Sequence, residues 1–98
     1  MMLETELQAE VLDLCKKYRL RVFHSTDSRR DIGPGWPDLI IVGKSLIAVE
    51  LKQQYTNLSV MQTTWKHALK AAGVAYYLWR PDDLQDGIIE IILKEIQV

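Results

Sequence analysis

GPGWPDLIIVGKSLIAVELK, residues 33–52, reads as two apolar strands, Pro37–Val42 and Leu46–Lys52, joined by a short turn over Gly43-Lys44-Ser45. Runs dense in Leu, Ile and Val on either side of a Gly-containing break mark a hairpin. Three charged residues interrupt the apolar run: Asp38, Glu50 and Lys52. Centring the turn on Lys44 sets residue 42 opposite 46, 40 opposite 48, and Asp38 opposite Glu50. Directly opposed residues of an antiparallel pair have Cα atoms roughly 4.5–5.5 Å apart. Side chains alternate with a period of two, so Lys52 projects from the same face as Glu50.

Two carboxylates and an ammonium thus converge at one end of one sheet face. Like charges this close are costly unless a cation neutralises them. A hard divalent ion answers that need, because Mg²⁺ takes one or two carboxylates, several waters and substrate phosphate oxygens. Such an ion activates water and offsets charge on a phosphodiester. Lys52 is placed to orient that water or to stabilise the same charge. The plainer alternative is a salt-bridged strand end, with Lys52 paired to Asp38 and Glu50. The shared face of all three favours the metal site.

The hairpin is apolar on both faces: Ile40, Val42, Leu46 and Ala48 on one, Leu39, Ile41, Ile47, Val49 and Leu51 on the other. A sheet buried on both sides needs helices on both sides, which predicts an α/β sandwich. Upstream, residues 25–36 (STDSRRDIGPGW) have the composition of a loop that runs directly into the charged cluster. Ser28, Arg29 and Arg30 suit phosphate oxygens, Arg through its forked donors. Gly33 and Gly35 would let the backbone approach a phosphate or turn sharply. Leu20–His24 alternates as a strand, and His24 at its end is a substrate contact or simply a packed residue.

Residues 4–18 form an amphipathic helix, with Leu3, Leu7, Val11, Leu14 and Tyr18 on one stripe. At about 100° per residue, Glu4 and Glu10 fall roughly 60° from the centre of that stripe and Glu6 roughly 100°. By angle either Glu4 or Glu10 can reach a site on the packed sheet, with Glu6 and Glu10 read as the solvated ones. Downstream, Gln53–Asn57 is a polar loop, and Ser59-x-x-Gln62 opens a second helix to about Ala72 in a capping-box pattern. Gly73 is its stop, and Val60, Thr64, Trp65, Leu69 and Ala72 form its core or interface face. Gln62 has a structural role ready-made in that box. Val74–Trp79 is a further strand, ended by Arg80-Pro81. A last helix follows over the Ile88, Ile89, Ile92, Leu93, Ile96 spacing, although GIIEIIL has enough β-branching for a strand.

In order, the chain carries Glu4-x-x-Leu7-Gln8, His24-Ser25-x-Asp27-Ser28-Arg29-Arg30, Pro34-Gly35-Trp36-Pro37-Asp38-Leu39, Glu50-Leu51-Lys52, and Leu58-Ser59-x-x-Gln62. Ala72-Gly73-Val74 and Trp79-Arg80-Pro81 complete the set. This pattern resembles the VRR-NUC branch of the PD-(D/E)xK nuclease superfamily, in particular its small stand-alone, phage-type members, over nearly the whole chain. The resemblance implies a restriction-endonuclease-like core, a central mixed β-sheet flanked by helices in the order α-β-β-β-α-β-α. It implies an Mg²⁺- or Mn²⁺-dependent DNA endonuclease leaving a 5′-phosphate. Asp38 and Glu50 would hold the metal, with the Leu51 carbonyl a further ligand and Glu4, selected over Glu10, direct or through water. Lys52 would be catalytic, Gln62 would belong to the active site, and His24 would lie near the cleft. Stand-alone relatives are homodimers, which suits four-way (Holliday) junction resolution. Flap or other branched-DNA cleavage is the alternative within the class, and a catalytically silent DNA-binding protein or a plain assembly subunit the alternatives outside it.

Ninety-eight residues make a single domain near the lower size limit for an unaided core. One cysteine, Cys15, excludes an internal disulfide and suits a reducing compartment. An acidic N-terminus without an apolar core segment, and no membrane-length apolar run, lead us to expect a cytosolic protein. The net charge of −1 does not announce a nucleic-acid binder, but its distribution is polarised. Lys16, Lys17, Arg19, Arg21, Arg29 and Arg30 cluster early, while Asp82, Asp83, Asp86, Glu90 and Glu95 dominate the end. No zinc-finger cysteines, helix-turn-helix spacing or long basic arm is present, so shape readout is more plausible than base readout.

Overall fold

The structure, a computed structural model, describes residues 1–24 and 33–98. Helix α1 (Glu4–Lys17) leads into β1 (Arg21–His24), β2 (Leu39–Val42) and β3 (Leu46–Leu51). Helix α2 (Val60–Ala71), β4 (Ala75–Trp79), α3 (Pro81–Gln85) and α4 (Ile88–Glu95) follow. The strands form one sheet in the order β1-β2-β3-β4, antiparallel except for β3 and β4, which run parallel across the α2 connection. A parallel neighbour requires such a crossover, because a tight turn can only return the chain antiparallel.

The hairpin register is the one counted from the turn: Val42 pairs with Leu46, Ile40 with Ala48 and Leu39 with Val49. The strands are a little shorter than expected. β2 starts at Leu39, after Pro37, which has no N–H to offer a ladder, and β3 ends at Leu51 because Lys52 leaves the hairpin. The turn docks on the end of α4, where the Lys44 N–H donates to the Ile96 carbonyl at 2.7 Å. A Cβ on Gly43 would lie 2.0 Å from that same oxygen, which is why the position is glycine.

One sheet face is the core. Leu39, Ile41, Ile47, Val49, Leu51 and Trp79 pack with Leu7, Val11, Cys15 and Tyr18 of the first helical segment and Ile89, Leu93 and Ile96 of the last. Cys15 is buried where the stripe reading had Leu14, which is half-buried, and Leu3 precedes the helix and is exposed. Burial pushes the Cys15 thiol up to about 11. Trp79 is packing, not an exposed stacking surface.

The second face departs from expectation. Ala48 is buried, but Val42 and Leu46 are exposed and Ile40 half-buried. Helix α2 has no buried residue; of its expected inner face Val60 is 81% exposed, Thr64 and Ala72 are exposed, and Trp65 and Leu69 are half-covered. This helix lies over β4 by its edge, so an amphipathic pattern that implied a sandwich layer yields only a partial one. The last segment is helical, as read, but in two pieces: Gly87, with φ of 77°, breaks α3 from α4. No helix among the described residues is long and apolar enough to cross a membrane.

Candidate metal centre

Four element ends meet at one end of the sheet: the start of α1, the approach to β2, the end of β3 and the start of α2. They carry Glu4, Asp38, Glu50 and Gln62 respectively. Carboxylate oxygens of Glu4, Asp38 and Glu50 all lie within 4.8 Å of one another. Glu10 is exposed and outside this group, and Glu6 is spent on the Leu3 N–H at 2.8 Å. Glu4 is therefore the helix carboxylate that reaches the cluster.

Each carboxylate is held differently. Asp38 Oδ2 accepts from the Leu51 N–H at 2.8 Å, a bond that ties the approach of β2 to the end of β3. In extended chain the carbonyl of a residue points to the same edge as its N–H, so the Leu51 carbonyl lies on the Asp38 side. Lys52 turns the other way, its N–H donating to the Trp79 carbonyl at 3.1 Å. Glu50 is 1% exposed, and its Oε2 accepts from the Gln62 side-chain nitrogen at 3.1 Å. Its other oxygen, Oε1, is buried with no hydrogen-bond partner among the described residues.

An ionised Glu50 is thus poorly served by protein groups alone. Burial first, and then the neighbouring Asp38 carboxylate, hold its carboxyl far above the usual carboxylate range; Lys52 opposes this and Glu4 adds to it. Glu4 is raised in the same way, by burial first and then by Asp38. Three acids forced together, one with an orphaned oxygen, are the donor set of a hard divalent cation. The residues present fit such an ion. Among the described residues Lys52 makes no ion pair, the sole pair being Lys17 with Glu90, so the salt-bridged strand end is not what the structure adopts.

Gln62 closes the capping box and also touches Glu50. Its Oε1 accepts from the Ser59 N–H at 2.8 Å and its N–H donor bonds Glu50, while Ser59 Oγ accepts from the Gln62 N–H at 3.1 Å. Gly35, read as a place where the backbone approaches a phosphate or turns sharply, turns sharply here. With φ of 86°, it lies against the first turn of α2, and a Cβ there would sit 2.4 Å from the Met61 carbonyl carbon. The glycine admits a helix backbone. Trp65 fastens the same loop, donating to the Pro34 carbonyl at 3.0 Å and meeting Trp36 edge-on at 4.9 Å.

His24 is exposed at the end of β1, opposite Leu39 and one residue from Asp38. Ser28, Arg29 and Arg30 lie outside the described residues. Tyr76 was not singled out as a site residue, yet its place opposite Ala48 puts it on the face of Glu50. Burial and the nearby Glu50 and Asp38 raise its phenol above the usual range. The period of two in β4 was the signal that could have found it. A cavity of about 430 Å³ opens between Met2, Gln54, Tyr55, Pro81 and Leu84, and none of the three carboxylates lines it. At that sheet end Glu4 and Asp38 are half-buried and Glu50 is buried.

No family model and no curated protein matches the sequence. Among solved structures, the chain is similar to a VRR_NUC domain protein, with a TM-score of 0.69 and 22% identity over 93% of this chain and 85% of that one. It is also similar to Archaeoglobus fulgidus Hjc, a Holliday junction resolvase from an archaeal hyperthermophile. There the TM-score is 0.52 and the identity 19%, over 76% of this chain and 66% of that one. The α/β architecture, a mixed four-stranded sheet flanked by helices, is thus shared with that VRR_NUC domain protein.

Proposed function

We propose that this chain is a divalent-metal-dependent DNA endonuclease that hydrolyses phosphodiesters in branched DNA, four-way junctions foremost, as a homodimer. The observation that carries the reading is the trio Glu4, Asp38 and Glu50 within 4.8 Å of one another, with Glu50 Oε1 buried and unpartnered. Asp38 and Glu50 would hold Mg²⁺ or Mn²⁺, with the Leu51 carbonyl beside them and Glu4 direct or through water. When bound, the ion would supply Lewis acidity and a nucleophilic water. Gln62 keeps the Glu50 carboxylate oriented, as partners of ligand side chains do. Lys52 brings a cationic ammonium to the same face, where it would steady the attacking hydroxide and the charge gathering on the phosphate. His24, Ser28, Arg29 and Arg30, upstream of Asp38, would take neighbouring phosphates.

Similarity of fold to a Holliday junction resolvase supports a branched substrate. Exposed Phe23, Val42 and Leu46 share one side of the sheet and offer apolar area for a second copy. The test is direct. Linear, flapped and four-way DNA are incubated with the protein in Mg²⁺, in Mn²⁺ and in chelator, and the cuts are mapped. Paired, metal-dependent nicks across the junction are expected. Metal-independent cutting, or junction binding with no cutting in either metal, would overturn the reading.

A further inference from the structure

The loop that leaves the sheet at Lys52 is held by one side chain. Arg80 Nη1 donates to the carbonyl oxygens of Gln53 at 2.8 Å, Gln54 at 3.3 Å and Thr56 at 2.7 Å. These carbonyls belong to a segment outside the sheet ladder, and Tyr55 and Thr56 within it are exposed. Apolar packing therefore does little to fix its path. A guanidinium is always charged and rigid in its donor geometry, so three carbonyl dipoles gathered on one of its nitrogens define that path instead.

Arg80 is itself anchored. Its backbone N–H donates to Asp83 Oδ2 at 2.8 Å, closing the first turn of α3, and Pro81 presets that turn. Gln54 Oε1 accepts from the Asp82 N–H at 3.0 Å, a second tie between loop and helix. One residue upstream, the carbonyl of buried Trp79 takes the Lys52 N–H at 3.1 Å. Lys52 is therefore strapped to residues 79–80 on both sides.

We infer that Arg80 is a positioning residue for the nuclease site, fixing the exit of the chain from Glu50-Leu51-Lys52 and so the place of the Lys52 ammonium relative to Asp38 and Glu50. This inference rests on the nuclease reading. Lysine has a long flexible stem, so the backbone beneath it must carry the precision that the side chain lacks. A misplacement of about 1 Å at a reacting group is worth on the order of a hundredfold in rate.

The experiment compares wild type, Arg80→Ala, Arg80→Lys and Gln54→Ala, each checked for folding by circular dichroism. Hydrogen exchange is followed at the amides of residues 52–57, and single-turnover cleavage of a four-way junction is measured across DNA and salt concentrations. For Arg80→Ala, exchange across the loop should quicken at least about tenfold while β3 core amides keep their protection. The maximal rate should fall by about ten- to a hundredfold, with the apparent KM and its salt dependence unchanged within about twofold. Arg80→Lys, which keeps the charge and most of the reach, should recover part of the rate, and Gln54→Ala should show a smaller loss of the same kind. Should Arg80→Ala fail to fold, Arg80→Lys and Gln54→Ala carry the same comparison of rate against KM. An unchanged rate overturns the inference. So does a loss confined to KM with a flattened salt dependence, the signature of a phosphate contact. A wild type that cuts no DNA fells the nuclease reading and this one with it, whereas a cutting wild type matched by its variants fells this one alone.

Discussion

The Gln62 side chain joins Ser59 to Glu50: its oxygen accepts from the Ser59 N–H at 2.8 Å and its nitrogen donates to Glu50 Oε2 at 3.1 Å. One amide thus closes the start of α2 and orients a buried carboxylate. The two duties separate by mutation. Ser59→Ala removes the side-chain cap of the Gln62 N–H and should cost about 1 kcal/mol of stability, leaving cleavage per folded molecule unchanged. Gln62→Ala should cost a similar stability and in addition lower Mn²⁺ affinity or cleavage by about 10–100-fold, the usual effect of removing a partner of a ligand side chain. Chemical denaturation with Mn²⁺ titration separates the two. Equal metal affinity in both variants would reduce Gln62 to a cap.

Glu50 stores strain. A carboxyl that is 1% exposed, beside Asp38 and Glu4, destabilises the metal-free fold, a cost that the proposed metal site would explain. Glu50→Gln keeps the shape and removes the need to take up a proton on folding, which the raised Glu50 carboxyl imposes at about pH 8. In chelator at that pH it should melt higher than wild type, by about 0.5–2 kcal/mol of stability. Millimolar Mn²⁺ should raise the wild-type melting temperature, because an ion that binds only the folded state stabilises it, and should leave Glu50→Gln unmoved. A variant that melts lower in chelator and still responds to Mn²⁺ would show that Glu50 is not a ligand.

The hairpin was readable because two simple rules fix it. The turn sets the register, and the period of two sets the face, so Val42 opposite Leu46 and Asp38 beside Glu50 follow from counting. Glu4 against Glu10 was not decidable by angle, since both flank the stripe equally; the Glu4-x-x-Leu7-Gln8 pattern favoured Glu4, and the packed position of α1 brings it to the cluster. The open second face was illegible for a related reason. The pattern of α2 shows which residues point toward the sheet, not how closely the helix lies, and Val60 ended 81% exposed. Long-range polar ties carry no local signature at all. Nothing near Lys17 announces Glu90, and nothing near Gln53 announces Arg80.

Gly35 and Gly33 both have positive φ, at 86° and 124°, and the structure separates their roles. A Cβ on Gly33 would meet nothing within 4 Å among the described residues, so Gly33→Ala should cost backbone strain, on the order of 1 kcal/mol. A Cβ on Gly35 would press on the Met61 carbonyl carbon at 2.4 Å and the Gln62 nitrogen at 2.6 Å, both backbone atoms. Strain and overpacking add there, and Gly35→Ala should cost about 2–4 kcal/mol. Because α2 must retreat, Gln62 should also lose its reach to Glu50, so Mn²⁺ affinity should fall with stability. Urea unfolding of both variants, with and without Mn²⁺, checks the ranking. Equal costs would mean that the loop does not seat α2.

Glu90 ties α4 back to the end of α1, accepting from the Tyr18 hydroxyl and from Lys17 Nζ at 3.1 Å. The Tyr18 hydroxyl first, and Lys17 next, hold the Glu90 carboxyl below the usual value of 4.5. A carboxyl depressed in the folded state adds stability above its unfolded value, and that contribution is lost as pH falls toward and through the folded value. Lys17 is the mirror case: raised above 10.5, chiefly by Glu90, it adds stability below that value and loses it as pH rises further. Wild type should therefore lose stability more steeply below about pH 4.5 than Glu90→Gln. At neutral pH the variant should be the weaker of the two, by a margin that shrinks in high salt because the ion pair is exposed. Urea midpoints taken between pH 3 and pH 7 test this. Parallel curves for the two proteins would mean that the Tyr18 and Lys17 contacts to Glu90 contribute no charge-dependent stability.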